Sequence, residues 1–410
     1  MPRAERTNDH AAAVHRSRWL ALGAFALLAM ATQILWLTFA AVTPQTADHL
    51  GVSEGAVGDL AVINAAFFVL LAIPTGRWMD RNYTRALSAG AIFTALGAIV
   101  RALGPDSFAI ILAGQAIMSV GQPLVLNATT KIAARHFPPT EQTAAISVAS
   151  GSQFAGILIA VLSSSWLVST GGFNLLLSAY AVIAVVAAAL VLLSLRLAAH
   201  PTDVLTKTSL SWAKSDRLLW KMAALLFVGF GMYNGIATWL DSILVDFGYK
   251  DLAGPVIAAM TLAGIVGAAV LPNVAAARDA RRTVALTATA ILAVVMVTLA
   301  FTQPPWLVYF GLIMVGFTLM GTLPVVLDWS EVHVGPALAG TATGLLLMAG
   351  NLGGVAVVLT VQIAIGRPQT ALLVMALWAI PGFIVAWLLP RHAGRHIATP
   401  DPLEDTEWKG

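Results

Sequence analysis

The residues best suited to chemistry in this chain are aromatic and amide side chains within long apolar stretches. Trp36 lies in the middle of such a stretch, close to Gln33. An indole face beside neutral amides suits a quaternary ammonium group or another organic cation. Alternatively, a tryptophan in a membrane protein can anchor a helix at the membrane interface, and a buried amide can form hydrogen bonds between helices. We predict that a small molecule is bound by Trp36, Gln122, Gln153, Tyr233, Thr238, Trp239 and Asn351.

Acidic residues in these stretches are few. Asp241 has three open interpretations: it binds a cation, takes up a proton, or caps a broken helix end. Asp59 is a second candidate for ion coupling, and Asp328 and Glu331 are predicted to form a gate that faces basic loops. No Lys, Arg or His is predicted near the middle of a stretch, and Arg101 falls close to an end. An anionic substrate therefore lacks an evident cationic partner, and haem lacks an evident axial histidine, although Met or Tyr could substitute.

The composition places these residues in a membrane protein. Hydrophobic residues make up 58% of the 410 residues and charged residues 10%, against about 25% charged residues in soluble domains. Because a helix needs about 20 apolar residues to cross the bilayer, we predict an all-α membrane protein with twelve transmembrane helices. These predicted spans one to twelve are 19–44, 54–78, 85–103, 108–131, 140–168, 173–195, 218–246, 252–275, 283–302, 305–330, 336–365 and 369–390.

Several other classes of protein are disfavoured. The chain has no cysteine, which excludes disulfides and thiolate metal sites. It shows no nucleophile and base pair, metal-ligand cluster or phosphate-binding loop, so we predict no enzyme, no metal and no cofactor. The net charge of +3 is spread over loops and does not indicate nucleic-acid binding.

Basic residues are distributed unequally between the two sides of the predicted membrane. Of the 23 Lys and Arg residues, only Arg101, Lys250 and Arg367 fall on one side, which leaves 20 on the other. Because basic segments stay in the cytoplasm, both termini are predicted to be cytoplasmic. The predicted location is the inner or plasma membrane, and the predicted oligomeric state is a monomer.

The two halves of the chain repeat weakly. The stretch 121–126 (GQPLVL) corresponds to 322–327 (TLPVVL), with the two prolines offset by 201 positions. Repeats of this size indicate duplicated helix bundles with the substrate between them. We predict an N-terminal tail (1–18), a six-helix bundle (19–195), a linker (196–217), a second six-helix bundle (218–390) and a C-terminal tail (391–410). This is the architecture of major facilitator superfamily transporters.

A loop motif strengthens this resemblance. Gly76, Asp80, Arg81 and Arg85 follow span two with the spacing of the superfamily's signature loop. In such a loop, the aspartate can accept hydrogen bonds from helix N-terminal amides or pair with a basic residue while one side of the transporter is closed. The glycine allows close helix contact. An ordinary basic loop is the alternative interpretation.

The chain also resembles one branch of the superfamily, the feline leukaemia virus subgroup C receptor-related transporters. The similarity is carried by residues 114–122, 132–141, 151–156, 323–331 and 344–346. The resemblance implies transport of choline or ethanolamine, and some members have been linked to haem. It places the family's pocket Trp and Gln at Trp36 and Gln122. Asn351 stands where the family has Gln, and Thr238 where it has Tyr.

We therefore predict a facilitative or secondary-active transporter that moves a choline-like or ethanolamine-like cation by alternating access. Its expected partners are the bilayer, the substrate and, as a candidate coupling ion, the proton. A proton-coupled transporter of another small solute, such as an organic anion, a metabolite or haem, is the first alternative, with coupling through Asp241 or Asp59. A membrane receptor that does not transport is the second alternative.

Overall fold

The computed structural model of the protein describes residues 2–197, 210–249, 252–364 and 366–392, with side chains from Arg18 onwards. Most of the predicted linker (198–209) and of the C-terminal tail (393–410) lies outside the described residues. Throughout the described ranges, all regular secondary structure is helical. The helices are α1 (Pro2–Trp36), α2 (Thr43–Leu50), α3 (Glu54–Arg81), α4 (Tyr83–Leu103), α5 (Phe108–Leu126), α6 (Ala128–His136), α7 (Pro139–Leu197), α8 (Ser211–Ser215), α9 (Arg217–Asp246), α10 (Ala253–Ala277), α11 (Arg281–Phe301), α12 (Pro305–Val334), α13 (Ala339–Gln362) and α14 (Pro368–Trp387).

Eleven helical stretches within the described residues are long and apolar enough to cross a membrane. The longest, α7, has 59 residues and leaves helical geometry at Gly171 and Gly172. Gly172 has a φ of 66°, a conformation that costs little only for glycine. This kink divides α7 into spans five and six, so the structure has twelve spans. Spans one to four are α1, α3, α4 and α5, and spans seven to twelve are α9 to α14.

Span one differs from its prediction. The stretch 19–44 was expected to be one helix with Trp36 near its middle, but α1 ends at Trp36 and a turn leads to α2. The Thr38 hydroxyl donates to the carbonyls of Ile34 and Leu35, at 3.1 and 3.0 Å. A side chain that takes up helix carbonyls competes with continuation of the helix. Trp36 therefore lies at a helix end, beside Ala61 of span two.

Spans one to six pack mainly against one another, as do spans seven to twelve. The two halves meet where span two packs against span eleven and where span five packs against span eight. At one end of the molecule this contact is close. A Cβ atom on Gly76 would come within 2.6 Å of the Gly340 carbonyl oxygen, so backbones touch there. We call this the closed end; it carries the loop after span two.

Candidate functional site

A cavity of about 750 Å³ lies between the two halves of the molecule. Spans one, two, four and five line it from the first half, and spans seven to eleven from the second. Among the residues that the structure describes, no Asp, Glu, Lys, Arg or His lines this cavity. Its polar groups are therefore neutral amides and hydroxyls on an otherwise apolar wall.

Trp36 lines the cavity from the end of helix α1. Its indole Nε1 donates a hydrogen bond to the Ala61 carbonyl oxygen of span two, at 3.2 Å. This bond satisfies the indole N–H and fixes the ring. Further aromatic side chains line the cavity from both halves, namely Phe68, Phe154, Phe230 and Tyr233. The cavity therefore offers several π-systems to a ligand.

Gln122 lines the cavity from span four, one residue before a proline inside the helix. Its Oε1 accepts a hydrogen bond from Asn64 Nδ2 of span two, at 2.8 Å. Both side chains are buried. The bond leaves Gln122 Nε2 as a donor with no partner among the described residues. Gln122 is therefore oriented to donate a hydrogen bond to a ligand oxygen.

The amides of Gln153 and Asn351 also line the cavity. Gln153 Nε2 donates to Thr129 Oγ1 and to the Ala149 carbonyl, both at 3.4 Å. Asn351 Nδ2 donates to the Leu347 carbonyl of its own helix, at 2.9 Å. Because the amide nitrogens are used in this way, the carbonyl oxygens of both side chains remain as acceptors.

Span seven contributes a stripe of residues to the cavity. Tyr233 and Thr238 lie on this stripe, and the Tyr233 hydroxyl lies 3.4 Å from Thr261 Oγ1. Trp239 does not line the cavity. Its indole Nε1 donates to the Val358 carbonyl of span eleven, at 3.0 Å. Trp239 therefore joins two helices of the second half.

The turn after Trp36 is held by side chains of other spans. Arg101, only 1% exposed, donates from Nη1 to the Leu35 carbonyl at 2.8 Å, and its guanidinium lies 4.9 Å from the centre of the Phe39 ring. Ser164 Oγ donates to the Thr38 carbonyl at 2.9 Å. Backbone groups freed by a helix break inside a membrane need such partners. These contacts fix the end of α1, and with it Trp36.

Asp80 joins the two halves at the closed end. Its carboxylate accepts hydrogen bonds from Lys131 Nζ at 3.0 Å and from the backbone amides of Gly340 and Thr341, each at 2.8 Å. The Thr341 hydroxyl donates to it as well. The two amides belong to the first turn of span eleven, where the helix dipole favours a negative charge. We call Asp80, Lys131, Gly340 and Thr341 the first latch.

A second, smaller contact joins the halves beside the first latch. The Thr143 hydroxyl of span five donates to Asp328 Oδ1 at 2.6 Å. Arg281 pairs with the other oxygen, Asp328 Oδ2, at 2.7 Å. Glu331 lies one turn further along span ten and is also buried. We call Thr143, Arg281 and Asp328 the second latch, in which one hydrogen bond crosses between the halves.

The remaining predicted gating residues lie at the surface. Arg81 and Arg85 are exposed at the closed end. Asp59 and Asp241 are exposed and do not line the cavity. Asp241 lies about one helical turn beyond Thr238, towards the end opposite the latches. The structure therefore brings Gly76, Asp80 and Asp328 to the contact between the halves, but not these four residues.

Cavity residues that were not identified from the sequence as site residues include Asn64, Phe68, Phe154 and Phe230. Asn64 carried a usable signal, because it is an amide inside an apolar span and buried polar groups require partners. The phenylalanines carried none, since an aromatic residue in an apolar helix suits lipid or the protein core equally well. Their position between the halves is a property of the assembled bundles.

Comparison with known proteins places the chain among transporters. The model of the Major Facilitator Superfamily matches residues 21–358. "Solute carrier family 49 member A3" of Danio rerio is 32% identical over 282 residues, which cover 63% of this chain and 59% of that protein. "Choline/ethanolamine transporter FLVCR2" of Homo sapiens is 23% identical over 372 residues, 83% of this chain and 71% of that protein.

A solved structure supports the fold. The structure of the transporter FucP in the outward conformation matches with a TM-score of 0.75 at 16% identity, and the match covers 90% of this chain and 99% of that chain. A likeness at this identity concerns the fold alone. The superfamily model matches most of the chain, and the twelve spans agree with it. The chain is therefore a multi-pass membrane transporter that belongs to the Major Facilitator Superfamily.

Proposed function

We propose that this transporter moves a small organic cation of the choline or ethanolamine type by alternating access. The observation that carries the proposal is the neutral cavity, with Trp36 fixed at its wall by the bond to Ala61. A permanent cation has no carboxylate to neutralise it there, because none of the described residues that line the cavity is Asp or Glu. Aromatic faces supply the remaining attraction, each worth about 0.5–2 kcal/mol depending on its hydration.

Gln122 is suited to recognise the alcohol group of such a substrate. Its Oε1 is occupied by Asn64, so its Nε2 is the group that meets a ligand oxygen. Asn351 and Gln153 offer acceptors to a hydroxyl or an ammonium N–H. A human relative bears the name choline/ethanolamine transporter, which supports the same class of substrate for this chain.

The latches support alternating access. Their hydrogen bonds between the halves exist only while the halves touch at the closed end. The cavity extends from there towards the other end, where Ala40 and Thr238 line it. The excess of basic residues on the side of the closed end supports a cytoplasmic location for it. In this assignment the structure corresponds to an outward-facing state, which binds substrate from outside before the latches release.

The test is uptake of labelled choline into proteoliposomes with and without an imposed proton gradient. We expect saturable uptake that Trp36→Ala reduces at least tenfold, because the π-face is lost. Trp166→Ala is the matched control, since Trp166 is 62% exposed and does not line the cavity. Uptake that Trp36→Ala leaves unchanged would refute the site, and absence of choline uptake would refute the substrate class.

A proton-coupled transporter of another small solute is the second candidate. Asp241 favours it, because this carboxylate lies on span seven one turn beyond the cavity wall. In that case uptake of the solute rises with an inward proton gradient, and Asp241→Asn abolishes this rise. The lack of Lys, Arg and His on the cavity wall disfavours an organic anion.

A further inference from the structure

Asn64 forms a different hydrogen bond from other asparagines of the spans. Asn234, Asn273 and Asn351 each donate their side-chain N–H to the carbonyl four residues earlier on the same helix, at 2.8, 3.0 and 2.9 Å. Asn64 instead donates to another span, from its Nδ2 to Gln122 Oε1 at 2.8 Å. Its side chain is therefore directed at the amide of Gln122 and not at its own helix.

The carbonyl of Leu60 accounts for this difference. It lies four residues before Asn64 and accepts the backbone N–H of its own helix. It also accepts a hydrogen bond from Gln115 Nε2 of span four, at 2.9 Å. Gln115 is itself held by Arg101, whose Nη1 donates to Gln115 Oε1 at 3.0 Å. Because a carbonyl oxygen has two lone pairs, the Leu60 carbonyl is fully used, and the Asn64 N–H bonds to Gln122 instead.

The free ends of the two amides differ in their surroundings. Asn64 Oδ1 is buried and has no hydrogen-bond partner among the described residues. Gln122 Nε2 also has no partner among them, but it is not enclosed by protein and faces the cavity that Gln122 lines. Reversal of the Gln122 amide alone would set its N–H groups against those of Asn64. The group that a ligand meets is therefore an N–H donor, and Asn64 holds it in this orientation.

We propose that Asn64 determines the specificity of this site by holding the Gln122 N–H towards the ligand, so that the transporter selects organic cations that carry an oxygen acceptor. This inference rests on the proposed function, because the cation is held by Trp36. It extends the substrate class beyond alcohols. An ether or ester oxygen accepts this hydrogen bond as a hydroxyl does, since a hydrogen on the oxygen is not required. Asn64 acts on the substrate through Gln122 and is therefore a positioning residue.

The test is inhibition of choline uptake in proteoliposomes by two quaternary ammonium compounds of nearly the same shape. The methyl ether of choline carries an oxygen where n-butyltrimethylammonium carries a methylene group. Because both compounds have the same charge, the ratio of their inhibition constants reports on the oxygen alone. We call this ratio the ether preference. Loss of one hydrogen bond to the oxygen should lower the ether preference about fivefold.

Asn64→Leu removes the donor and nearly keeps the size of the side chain. To hold its N–H on the ether, Gln122 must then leave its own Oε1 without a partner, which is costly for a buried group. We expect the ether preference to fall about fivefold. Asn234→Leu is the matched control, because Asn234 also lines the cavity but donates to its own helix. In this control the ether preference should match that of the wild type.

Gln122→Met shows whether Asn64 acts through Gln122. This variant alone should lower the ether preference by the same factor as Asn64→Leu. The double variant should lower it no further, because the effects of two residues that act through one bond are not additive. If Asn64→Leu is not recovered as a folded protein, Asn64→Ala removes the same donor without adding bulk.

The possible results separate this inference from the proposed function. An equal ether preference in the wild type, Asn64→Leu and Gln122→Met would overturn the inference, and so would a fall in Gln122→Met that Asn64→Leu does not share. The inference also fails if choline is taken up but its methyl ether does not inhibit. If choline is not taken up and neither compound inhibits, both the inference and the proposed function are overturned.

Discussion

Removal of the charge from Asp80 should open the closed end of the transporter. Asp80→Asn keeps the shape of the side chain but replaces one carboxylate oxygen with an amide nitrogen. That nitrogen cannot accept the hydrogen bonds that Gly340, Thr341 and Lys131 donate in the first latch. Because the two amides belong to the opposite half, these bonds stabilise only the conformation in which the halves touch.

The size of the effect follows from the number of bonds. A hydrogen bond to a charged group contributes about 1.5–3 kcal/mol. Asparagine still accepts with its remaining oxygen, and Lys131 keeps its bonds to the carbonyls of Pro336 and Ala337, at 2.7 and 3.3 Å. We therefore expect a loss of about 3 kcal/mol, which changes the ratio of the two conformations on the order of 100-fold.

Cysteine labelling measures this change directly, because the chain has no cysteine. Thr343→Cys places a thiol at a residue that is fully buried at the closed end and bonded to Thr130 at 2.6 Å. Ala40→Cys places one on the exposed part of the cavity wall. When Asp80→Asn is added, the thiol of Thr343→Cys should react faster with a water-soluble reagent than it does without this substitution. The thiol of Ala40→Cys should react more slowly.

Asp59→Asn is the matched control, since Asp59 is an exposed carboxylate on the same span. It should leave both labelling rates unchanged. If Thr343→Cys reacts at the same rate with and without the Asp80→Asn substitution, in protein that still elutes as a single species, the first latch does not hold the closed end. A higher labelling rate at both thiols would indicate loss of structure instead of a change in conformation.

Three further predictions concern other contacts. Thr143→Val removes one bond to Asp328, so the labelling rate of Thr343→Cys should rise only about tenfold. A rise as large as that caused by Asp80→Asn would contradict the claim that the second latch is weaker than the first. Arg101→Leu frees the Leu35 carbonyl and should lower the melting temperature in detergent by several degrees, with partial recovery in Arg101→Lys. Gly353→Ala drives a Cβ into the Phe227 carbonyl and should cost at least about 3 kcal/mol, visible as loss of the monodisperse peak in gel filtration.

The number of spans could be predicted from the sequence because apolar length is a local property. The two halves of α7 show this: they were predicted as separate spans at 140–168 and 173–195, and the kink lies at Gly171 and Gly172. The end of α1 at Trp36 could not be predicted in the same way. Besides the local bonds of Thr38, it depends on Arg101 and Ser164, which are distant in the sequence.

In the candidate site, too, local features could be predicted from the sequence and contacts between distant residues could not. Gly76 and Asp80 were identified from their spacing, but their contacts at 340–341 lie about 260 residues away in the chain. Trp36 was predicted as a ligand contact from its aromatic face, Gln122 because a polar group inside a membrane span is costly, and both from the family resemblance; both line the cavity.

The uncharged cavity wall has an electrical consequence. With no Asp, Glu, Lys, Arg or His among the described lining residues, the proposed reorientation of the empty transporter moves no charged side chain of the cavity wall through the membrane field. A bound monovalent cation then contributes the entire charge of that site, so voltage acts on this site only when the cation is bound. A potential of 100 mV contributes about 2.3 kcal/mol per charge, enough to accumulate such a cation about 50-fold on the negative side without any co-transported ion.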